Sequence, residues 1–394
     1  MNRDTNIHRG LEGVIVDSTR ISKVMPEINA LVYCGYPVQE LAENCRFEEV
    51  AWLVWHGRLP SPKELAAFEA DERSRRNISP LLLEMVCKFP RTAHPMDVLR
   101  TTVSFLGMED PSPEKTDPLA NLNRSIDLLA KIPTMIGAFY RFRKGQEFVA
   151  PRADLSIAEN FFYVCHGRVP APETARAFDV SLTLYAEHGF NASTFTARTI
   201  VSSLSDLYSG VVGGIASLKG PLHGGANEAV MRMILEIGEA KKARDWMMKS
   251  LKEKRKVMGF GHRVYKNGDS RVPTMKKYAQ KIAAFTGEKR WLEIADVLEA
   301  TMLEQKNIHP NLDFPSGPAY YMMGIDIDMY TPVFVMARIT GWTAHIMEQL
   351  ANNALIRPLS QYVGPAQRSV IPLEQRNQLQ IQNSIVKEHS PKVG

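Results

Sequence analysis

A helix-hairpin pattern occurs twice in the chain and limits the folds that the chain can adopt. His56-Gly-Arg-Leu-Pro-Ser-Pro62 is echoed by His166-Gly-Arg-Val-Pro-Ala-Pro172. In both copies a glycine ends one helix, and the second proline stands in the first turn of the next helix. The first copy adds a capping box, Ser61-Pro62-Lys63-Glu64. A histidine that recurs at one structural corner is better explained by packing or capping than by catalysis.

Helical patterns fill much of the remaining chain, whereas runs with the two-residue period of a β-strand are scarce. Apolar residues recur at helical spacing from Pro172 to Tyr185, and this pattern stops near Gly189. His188 is therefore expected at the C-terminal end of a helix. A further long helix is predicted from Thr331 to Asn353, because Thr331 is followed by a proline. The chain is predicted to be all-α.

Two other helices are predicted from their ends and their small residues. His94 precedes a proline and is expected to cap a helix that stops at Gly107. Serines, glycines and alanines are frequent from Ser193 to Leu218. Small side chains let a neighbouring helix approach closely, so one long helix in a tight interface, within or between subunits, is expected there.

The length of 394 residues and the 44% hydrophobic composition predict two domains. Between Glu228 and Lys306 the composition shifts toward charged, separately amphipathic helices. This stretch predicts a smaller helical domain, residues 223–319, inserted into a large discontinuous helical domain, residues 1–222 and 320–394. The functional site is expected in the cleft between them.

The bulk charge excludes several classes of partner. With 48 Lys and Arg against 43 Asp and Glu, the chain lacks the strong basic excess of a nucleic-acid-binding protein. Its four cysteines show no Cys-x-x-Cys spacing, which argues against structural zinc and against a disulfide framework. No apolar run reaches the length of a membrane span, and the N-terminus has no apolar signal region. We expect a cytoplasmic protein, with a polar tail from Pro365 that forms an arm or is disordered.

Chemistry is predicted where glycine or proline surrounds a residue that can move a proton. Three such segments are Gly220-Pro-Leu-His-Gly-Gly-Ala-Asn227, Gly259-Phe-Gly-His-Arg-Val-Tyr-Lys266 and Asn311-Leu-Asp-Phe-Pro-Ser-Gly317. Glycine lets backbone and ligand approach closely. Asp313 in the last segment lies in a predicted loop between the apolar residues Leu312 and Phe314. Apolar surroundings would raise the pKa of its carboxylate, which suits a general base. The alternatives are a helix-breaking turn with an incidental histidine and an Asx turn at the aspartate.

Positively charged residues suggest that the ligand is an anion. Four of them precede the second segment, namely Lys252, Lys254, Arg255 and Lys256, and Arg263, Lys266 and Arg271 stand within or after it. Glycine amides together with clustered cations suit phosphates. Arg338 and Arg357 could each clamp a carboxylate, or could instead form an internal salt bridge.

The pair of histidines with one aspartate also admits a metal interpretation, because such a set can hold non-haem iron. The spacing of His223, His262 and Asp313 matches no compact ligand motif. The arginines and glycine amides fit an anionic organic substrate better, so no metal is expected.

Taken together, these motifs resemble the citrate synthase family, over nearly the whole chain from Ile7-His-Arg-Gly-Leu-Glu-Gly13 to Tyr362-Val-Gly-Pro365. Three further stretches are similar to the short bacterial branch that contains the 2-methylcitrate synthases. They are Ala186-Glu-His-Gly-Phe-Asn-Ala-Ser-Thr-Phe195, Met258-Gly-Phe-Gly-His-Arg-Val-Tyr-Lys266 and Ile339-Thr-Gly-Trp-Thr-Ala-His345. Cys34 departs from the pattern, since relatives commonly carry arginine there.

The resemblance implies a helical homodimer whose two domains close over oxaloacetate and create an acyl-CoA site. His223, His262 and Asp313 fall on catalytic positions. The oxaloacetate-binding positions fall on His188, Arg271, Arg338, Arg357 and, more loosely, Arg73. Arg357 is expected to reach the site of the partner subunit. Coenzyme A is expected on Lys256, Val257, Met258, Gly259 and Phe260.

The implied reaction joins propionyl-CoA or acetyl-CoA to oxaloacetate, with no metal or redox cofactor. Asp313 would remove the proton α to the thioester while His223 binds its carbonyl oxygen, and His262 would polarise the ketone. The expected enzyme is a 2-methylcitrate synthase that also accepts acetyl-CoA. A dedicated citrate synthase and a non-catalytic CoA- or nucleotide-binding regulator are the alternatives.

Overall fold

The computed structural model describes residues 7–265, 267–373 and 376. Over these residues it has sixteen α-helices, three β-strands and three short 3-10 helices. The first ten α-helices are α1 (Val38–Asn44), α2 (Phe47–His56), α3 (Pro62–Ser74), α4 (Pro80–Val86), α5 (Pro95–Glu109), α6 (Pro118–Arg143), α7 (Ile157–His166), α8 (Pro172–Tyr185), α9 (Ala192–Val201) and α10 (Leu207–Leu218). The others are α11 (Ala226–Ile237), α12 (Ala240–Lys252), α13 (Val272–Thr286), α14 (Arg290–Lys306), α15 (Asp313–Met322) and α16 (Tyr330–Ala351). The predicted all-α class is confirmed.

Contacts between Cα atoms divide the chain into two units. One is Asp17–Ile356, which contains every helix from α1 to α16. The other joins Met1–Val16 to Arg357–Gly394 and contains the 3-10 helix Arg9–Leu11. The insertion of residues 223–319 as a smaller domain stays a prediction. Within that stretch α11 and α13 both pack on α15, and α12 packs on α14. Most of the tail from Pro365, and Lys266, lie outside the described residues.

The repeated hairpin predicted from the sequence is confirmed in α2–α3 and α7–α8. Gly57 and Gly167 end the first helix of each pair with φ of 74° and 73°, a left-handed conformation that glycine adopts without strain. Ser61 and Glu64 form the capping box at the start of α3. The two histidines serve packing, because the His56 ring stacks on Trp52 at 3.7 Å and the His166 ring meets the edge of Tyr140.

Helix α16 is buried along most of its length and forms the centre of Asp17–Ile356. It contacts α6, α8, α9, α10 and α2. Gly214 of α10 makes room for Trp342, since a Cβ atom at this glycine would lie 3.0 Å from the indole ring. A charged residue, Arg338, therefore sits in the interior of the protein, where a guanidinium needs compensating partners.

Two predicted helix bounds are wrong. The single helix expected from Ser193 to Leu218 is divided, because Leu204 adopts φ of 66° and the Asp206 side chain caps the start of α10 at Ser209 N. Helix α5 does not stop at Gly107 but continues to Glu109. A Cβ atom at Gly107 would lie 3.1 Å from Tyr208, so this glycine allows close packing rather than ending the helix.

A small antiparallel sheet joins β1 (Ser22–Met25), β2 (Ala30–Tyr33) and β3 (Tyr36–Pro37), with Ser22 opposite Tyr33. The Tyr33 hydroxyl lies 2.9 Å from Glu187 O and 3.2 Å from Thr183 O, so the sheet packs on the C-terminal end of α8. Cys34 follows β2, and burial raises the pKa of its thiol to about 11. The sheet therefore supports the turn that carries His188.

Candidate active site

Asp313 is the first residue of α15, so the loop predicted for it is wrong. Pro315 does not prevent the helix, because backbone N–H groups in the first turn have no helical partner. The Asn311 side chain accepts a hydrogen bond from Asp313 N at 3.2 Å, and an Asx turn therefore precedes the helix. Burial raises the pKa of Asp313 to about 6, although a 2.7 Å hydrogen bond from the Tyr185 hydroxyl works in the opposite direction.

The glycine-rich segment before His262 pairs with the segment before Asp313. Gly261 N donates to His309 O at 2.8 Å, and Asn311 N donates to Gly259 O at 2.9 Å. Gly259 has φ of 83°, and a Cβ atom there would lie 2.6 Å from Val230, so glycine is required on both counts. This backbone pairing brings together the segments that carry His262 and Asp313, which are predicted from separate motifs.

The tautomer of His262 follows from its hydrogen bonds. Its Nδ1 atom accepts from Val264 N at 3.0 Å and from Tyr265 N at 3.2 Å, which leaves Nε2 to carry the proton of the neutral ring. Burial, with a contribution from the charge of Arg271, lowers the pKa of His262 to about 4. At neutral pH His262 is therefore an uncharged donor through Nε2–H.

His223 has the opposite tautomer. Its Nε2 atom accepts from Ser193 N at 3.3 Å and lies 2.8 Å from Ser193 Oγ, which leaves Nδ1 to carry the proton. Trp342 Nε1 donates to the same serine hydroxyl at 3.0 Å and so holds it in place. Burial, together with the charge of Arg338, lowers the pKa of His223 to about 3. His223 is a second neutral donor.

His188 and Arg338 each present a buried polar nitrogen that the described protein does not pair. The His188 ring lies 5.1 Å from the His262 ring, between ring centroids. Arg338 Nε donates to Tyr185 O at 2.7 Å. In the part of the chain that the structure describes, His188 Nε2 and Arg338 Nη1 are buried without a hydrogen-bond partner. Buried unpaired polar atoms are costly, and a bound ligand would satisfy them, an anion in the case of the Arg338 guanidinium.

Arg271 is held by Asp269 in a bidentate ion pair, with N–O distances of 2.9 and 2.7 Å. Burial opposes the charge on Arg271, but the Asp269 carboxylate outweighs it, and the pKa of Arg271 is raised. Asp269 also accepts a hydrogen bond from Leu312 N at 3.1 Å. The Asp269 carboxylate thus orients both the Arg271 guanidinium and the start of α15.

The segment predicted to bind coenzyme A lies beside this cluster. The Phe260 ring is 4.5 Å from the ring of Phe314, the residue after Asp313. Lys256 is exposed, Val257 and Gly259 are buried, and Met258 is half-buried. The exposed cation Lys256 therefore lies next to a turn that contains a glycine, an arrangement that suits a phosphate group.

The described contacts of Arg73 do not join it to this cluster. Arg73 lies on α3 and pairs with Glu69 at 3.3 Å. Arg357 is exposed and belongs to the unit that joins Met1–Val16 to Arg357–Gly394. The roles of both arginines stay predictions.

Several residues around the site were not singled out from the sequence. Tyr185 counted only as part of an apolar helix face, and Ser193 only as a small residue. Asp269 stands two residues before Arg271 and Glu187 directly before His188, so an acidic neighbour of each predicted ligand residue was a readable signal. The partner that each one contacts depends on tertiary packing.

No group of three or more His, Cys, Asp or Glu side chains is arranged to hold a metal ion in residues 7–265, 267–373 and 376. Within the same ranges, none of the helices combines the length and apolar character needed to cross a lipid bilayer.

The chain resembles proteins with named activities. Residues 10–359 match the family model for the citrate synthase C-terminal domain. A citrate synthase of Mycolicibacterium smegmatis is 54% identical, over 93% of this chain and 97% of its own length. A 2-methylcitrate synthase of Mycobacterium tuberculosis is 53% identical, over 93% of each chain.

Solved structures agree with these similarities. The crystal structure of citrate synthase from Thermotoga maritima matches with a TM-score of 0.87 and 39% identity, over 94% of this chain and all of that one. Citrate synthase from Thermoplasma acidophilum, in ternary complex with carboxymethyl coenzyme A and oxaloacetate, matches with a TM-score of 0.90 and 31% identity, over 94% of this chain and 99% of that one.

Proposed function

The chain belongs to the citrate synthase family, and on that premise we propose that it is a 2-methylcitrate synthase. It condenses propionyl-CoA with oxaloacetate and water to give 2-methylcitrate and coenzyme A, and it also accepts acetyl-CoA to give citrate. The family assignment makes it a condensing acyltransferase. The arrangement that carries the proposal is a carboxylate of raised pKa, Asp313, beside two neutral imidazoles and two buried guanidinium groups.

Asp313 is the general base that removes the proton α to the thioester. A base works best when its pKa lies close to the working pH, and burial brings the pKa of Asp313 to about 6. An ordinary exposed carboxylate would be a weaker base for a carbon acid. The Tyr185 hydroxyl keeps Asp313 ionised enough at neutral pH to accept the proton.

His223 stabilises the resulting enol. Its Nδ1–H donates to the thioester oxygen while Ser193 N holds the opposite ring atom. Because the pKa of His223 is about 3, the ring enters the reaction neutral, with Nε2 accepting from Ser193 N and Nδ1–H donating to the oxygen where negative charge develops. Asp313 thus acts at the α carbon of the enol, and His223 acts at its oxygen.

His262 activates oxaloacetate. Its Nε2–H donates to the ketone oxygen, because its Nδ1 atom is engaged by Val264 N and Tyr265 N. As the enol carbon attacks the ketone carbon, the shared enol proton returns to His223, and His262 gives its Nε2 proton to the oxygen that becomes the hydroxyl group. Asp313 releases the proton that it removed to solvent, from which His262 regains one. Water then hydrolyses the thioester and releases coenzyme A.

The carboxylates of oxaloacetate are bound by His188, Arg271 and Arg338. The unpaired buried atoms His188 Nε2 and Arg338 Nη1 support this assignment. Arg271 adds a charge that Asp269 orients. Arg357 completes the set from the partner subunit of a homodimer, and Arg73 is the weakest member. Lys256 and the turn through Phe260 bind coenzyme A.

The domain prediction belongs to the same proposal. Residues 223–319 close against the rest of the chain over bound oxaloacetate, which excludes water until condensation is complete. The reaction needs no metal and no redox cofactor, because the proton transfers and charge stabilisation all come from side chains. We place the enzyme in the cytoplasm, with no nucleic-acid or membrane partner.

A dedicated citrate synthase is the second candidate, favoured by the relative at 54% identity that bears that name. One methylene in a pocket changes selectivity by only about 1–3 kcal/mol, so both activities are compatible with one site. The test is release of coenzyme A from oxaloacetate with each acyl donor, followed with a thiol reagent. A higher kcat/KM for propionyl-CoA supports the proposal, and a higher value for acetyl-CoA supports the second candidate.

A non-catalytic regulator remains the contrasting hypothesis within the same assay. Such a protein would bind the acyl-CoA but release no coenzyme A with either donor. That result, obtained with folded wild-type protein, would contradict the proposed function.

A further inference from the structure

Glu187 is a buried carboxylate that the proposed chemistry does not use. Its Oε1 atom accepts hydrogen bonds from His345 Nε2 and Ser22 Oγ, both at 2.9 Å, and from Gly189 N. These donors come from α16, from β1 and from the turn that follows α8. A single oxygen atom therefore ties three parts of the protein to the residue directly before His188.

The hydrogen bonds of His345 define the direction of this network. Arg198 Nη1 lies 3.3 Å from His345 Nδ1, and a guanidinium can only donate, so Nδ1 is the acceptor. The ring proton is then on Nε2, which donates to Glu187. Arg198 is itself fixed by Glu348 and Asp17, each at 2.8 Å. A chain of oriented donors thus ends at the Glu187 carboxylate.

The second oxygen of Glu187 faces α16. A Cβ atom at Gly341 would lie 2.2 Å from Glu187 Oε2, so the carboxylate rests against the helix that carries Arg338. Burial lowers the pKa of Arg338 to about 10, and the charge of Glu187 opposes that shift. None of the ion pairs among the described residues joins these two side chains, and Arg338 Nη1 stays available to a ligand.

We propose that Glu187 is a positioning residue for oxaloacetate, which fixes the Glu187–Gly189 turn against α16 so that His188 and Arg338 face the same carboxylates. The inference rests on the proposed function. The positioning role and a purely electrostatic role of Glu187 predict opposite changes in oxaloacetate affinity when its charge is removed. Removing a negative charge near the site should tighten the binding of an anion, whereas loosening the turn should weaken it.

Two variants of graded severity test the proposal. Glu187→Gln keeps the size of the side chain but weakens an acceptor of three hydrogen bonds. Ser22→Ala deletes one of its donors and is the milder change. The matched control is Ser125→Ala, which deletes another buried serine hydroxyl, one that donates to Asn121 O at 2.7 Å within α6.

The measurements are the KM and equilibrium Kd for oxaloacetate and kcat at saturating oxaloacetate and acyl-CoA. Glu187→Gln should raise both oxaloacetate constants about tenfold and change kcat less than about twofold, since hydrogen bonds to charged groups are among the stronger ones. Ser22→Ala should raise the same constants about threefold. Ser125→Ala should leave them unchanged, which separates positioning from a general loss of stability.

The outcomes are distinguishable. Wild-type protein that releases no coenzyme A would overturn the proposed function and this inference with it. An active wild type together with an unchanged or lowered oxaloacetate KM in Glu187→Gln would overturn the inference alone. If Glu187→Gln does not fold, Ser22→Ala decides, and an oxaloacetate KM equal to that of the wild type would then refute the positioning role.

Discussion

Tyr185→Phe tests how the protein sets the charge of its proposed base. The substitution removes the hydroxyl that donates to Asp313 Oδ1 at 2.7 Å and leaves the ring beside Phe334, with centroids 4.3 Å apart. Burial raises the pKa of Asp313 to about 6, and the hydrogen bond from Tyr185 opposes that rise. Loss of the hydroxyl should therefore raise the pKa further.

The size of the shift follows from the energy of the lost interaction. A hydrogen bond to a charged group contributes about 1.5–3 kcal/mol, and one pKa unit corresponds to about 1.4 kcal/mol. The pKa of Asp313 should rise by roughly one to two units. At pH 7 the ionised fraction would fall from about nine-tenths to between about one-half and one-tenth.

The assay is the pH dependence of kcat/KM for the acyl-CoA at saturating oxaloacetate, between about pH 5.5 and pH 9. A base acts when deprotonated, so activity is lost as the pH falls through its pKa. The acid limb of Tyr185→Phe should therefore move to higher pH, and its rate should approach that of the wild type at the alkaline end.

Tyr208→Phe is the matched control, because it removes a buried hydroxyl that lies 3.3 Å from a different carboxylate, that of Asp110. Its acid limb should coincide with that of the wild type. A Tyr185→Phe profile that also coincides with the wild type would refute the proposed coupling, as would an equal shift in both variants.

Three other predictions concern packing, substrate binding and pH. Gly341→Ala should lower the free energy of unfolding by about 1–3 kcal/mol in denaturant titrations, because a Cβ atom would lie 2.2 Å from Glu187 Oε2; an unchanged midpoint would contradict the packing. Arg338→Lys should raise the oxaloacetate KM by roughly ten- to a hundredfold, with a smaller effect on kcat, because lysine cannot bind a carboxylate in bidentate fashion. A fall in kcat of that size with an unchanged oxaloacetate KM would contradict this prediction. Burial holds the pKa of His188 well below its usual value. The unfolded chain then binds a proton that the folded chain excludes, so stability should fall as the pH drops below about 6.5, and less so in His188→Gln; equal pH dependence in both proteins would be contrary to this account.

Local sequence signals were sufficient to predict the repeated helix pairs and the motifs that carry the site residues. The proline and the capping serine at the start of α3, and the left-handed glycines after α2 and α7, encode these helix ends through local capping and backbone conformation. His223, His262 and Asp313 were recognisable because each stands in a short motif. The structure brings the segments of the last two together through backbone hydrogen bonds.

Where prediction from the sequence failed, the deciding interaction was either overlooked or remote. Pro315 and Gly317 indicate a loop at Asp313, yet proline is compatible with the first turn of a helix, and α15 begins at Asp313. The break before α10 is decided by the left-handed Leu204 and by the cap at Asp206, of which only the cap was readable from the sequence. The pairs Tyr185–Asp313 and Glu187–His345 join residues far apart in the chain, so no local pattern encodes them.

The measurement that bears most directly on the proposed mechanism is the turnover of Asp313→Asn. The variant keeps the shape of the side chain and removes the base. With oxaloacetate and propionyl-CoA at saturation, coenzyme A release should fall by at least about a hundredfold, as expected for loss of a general base, while oxaloacetate still binds. Release at the wild-type rate would show that another group removes the proton, and the assignment of Asp313 would be wrong.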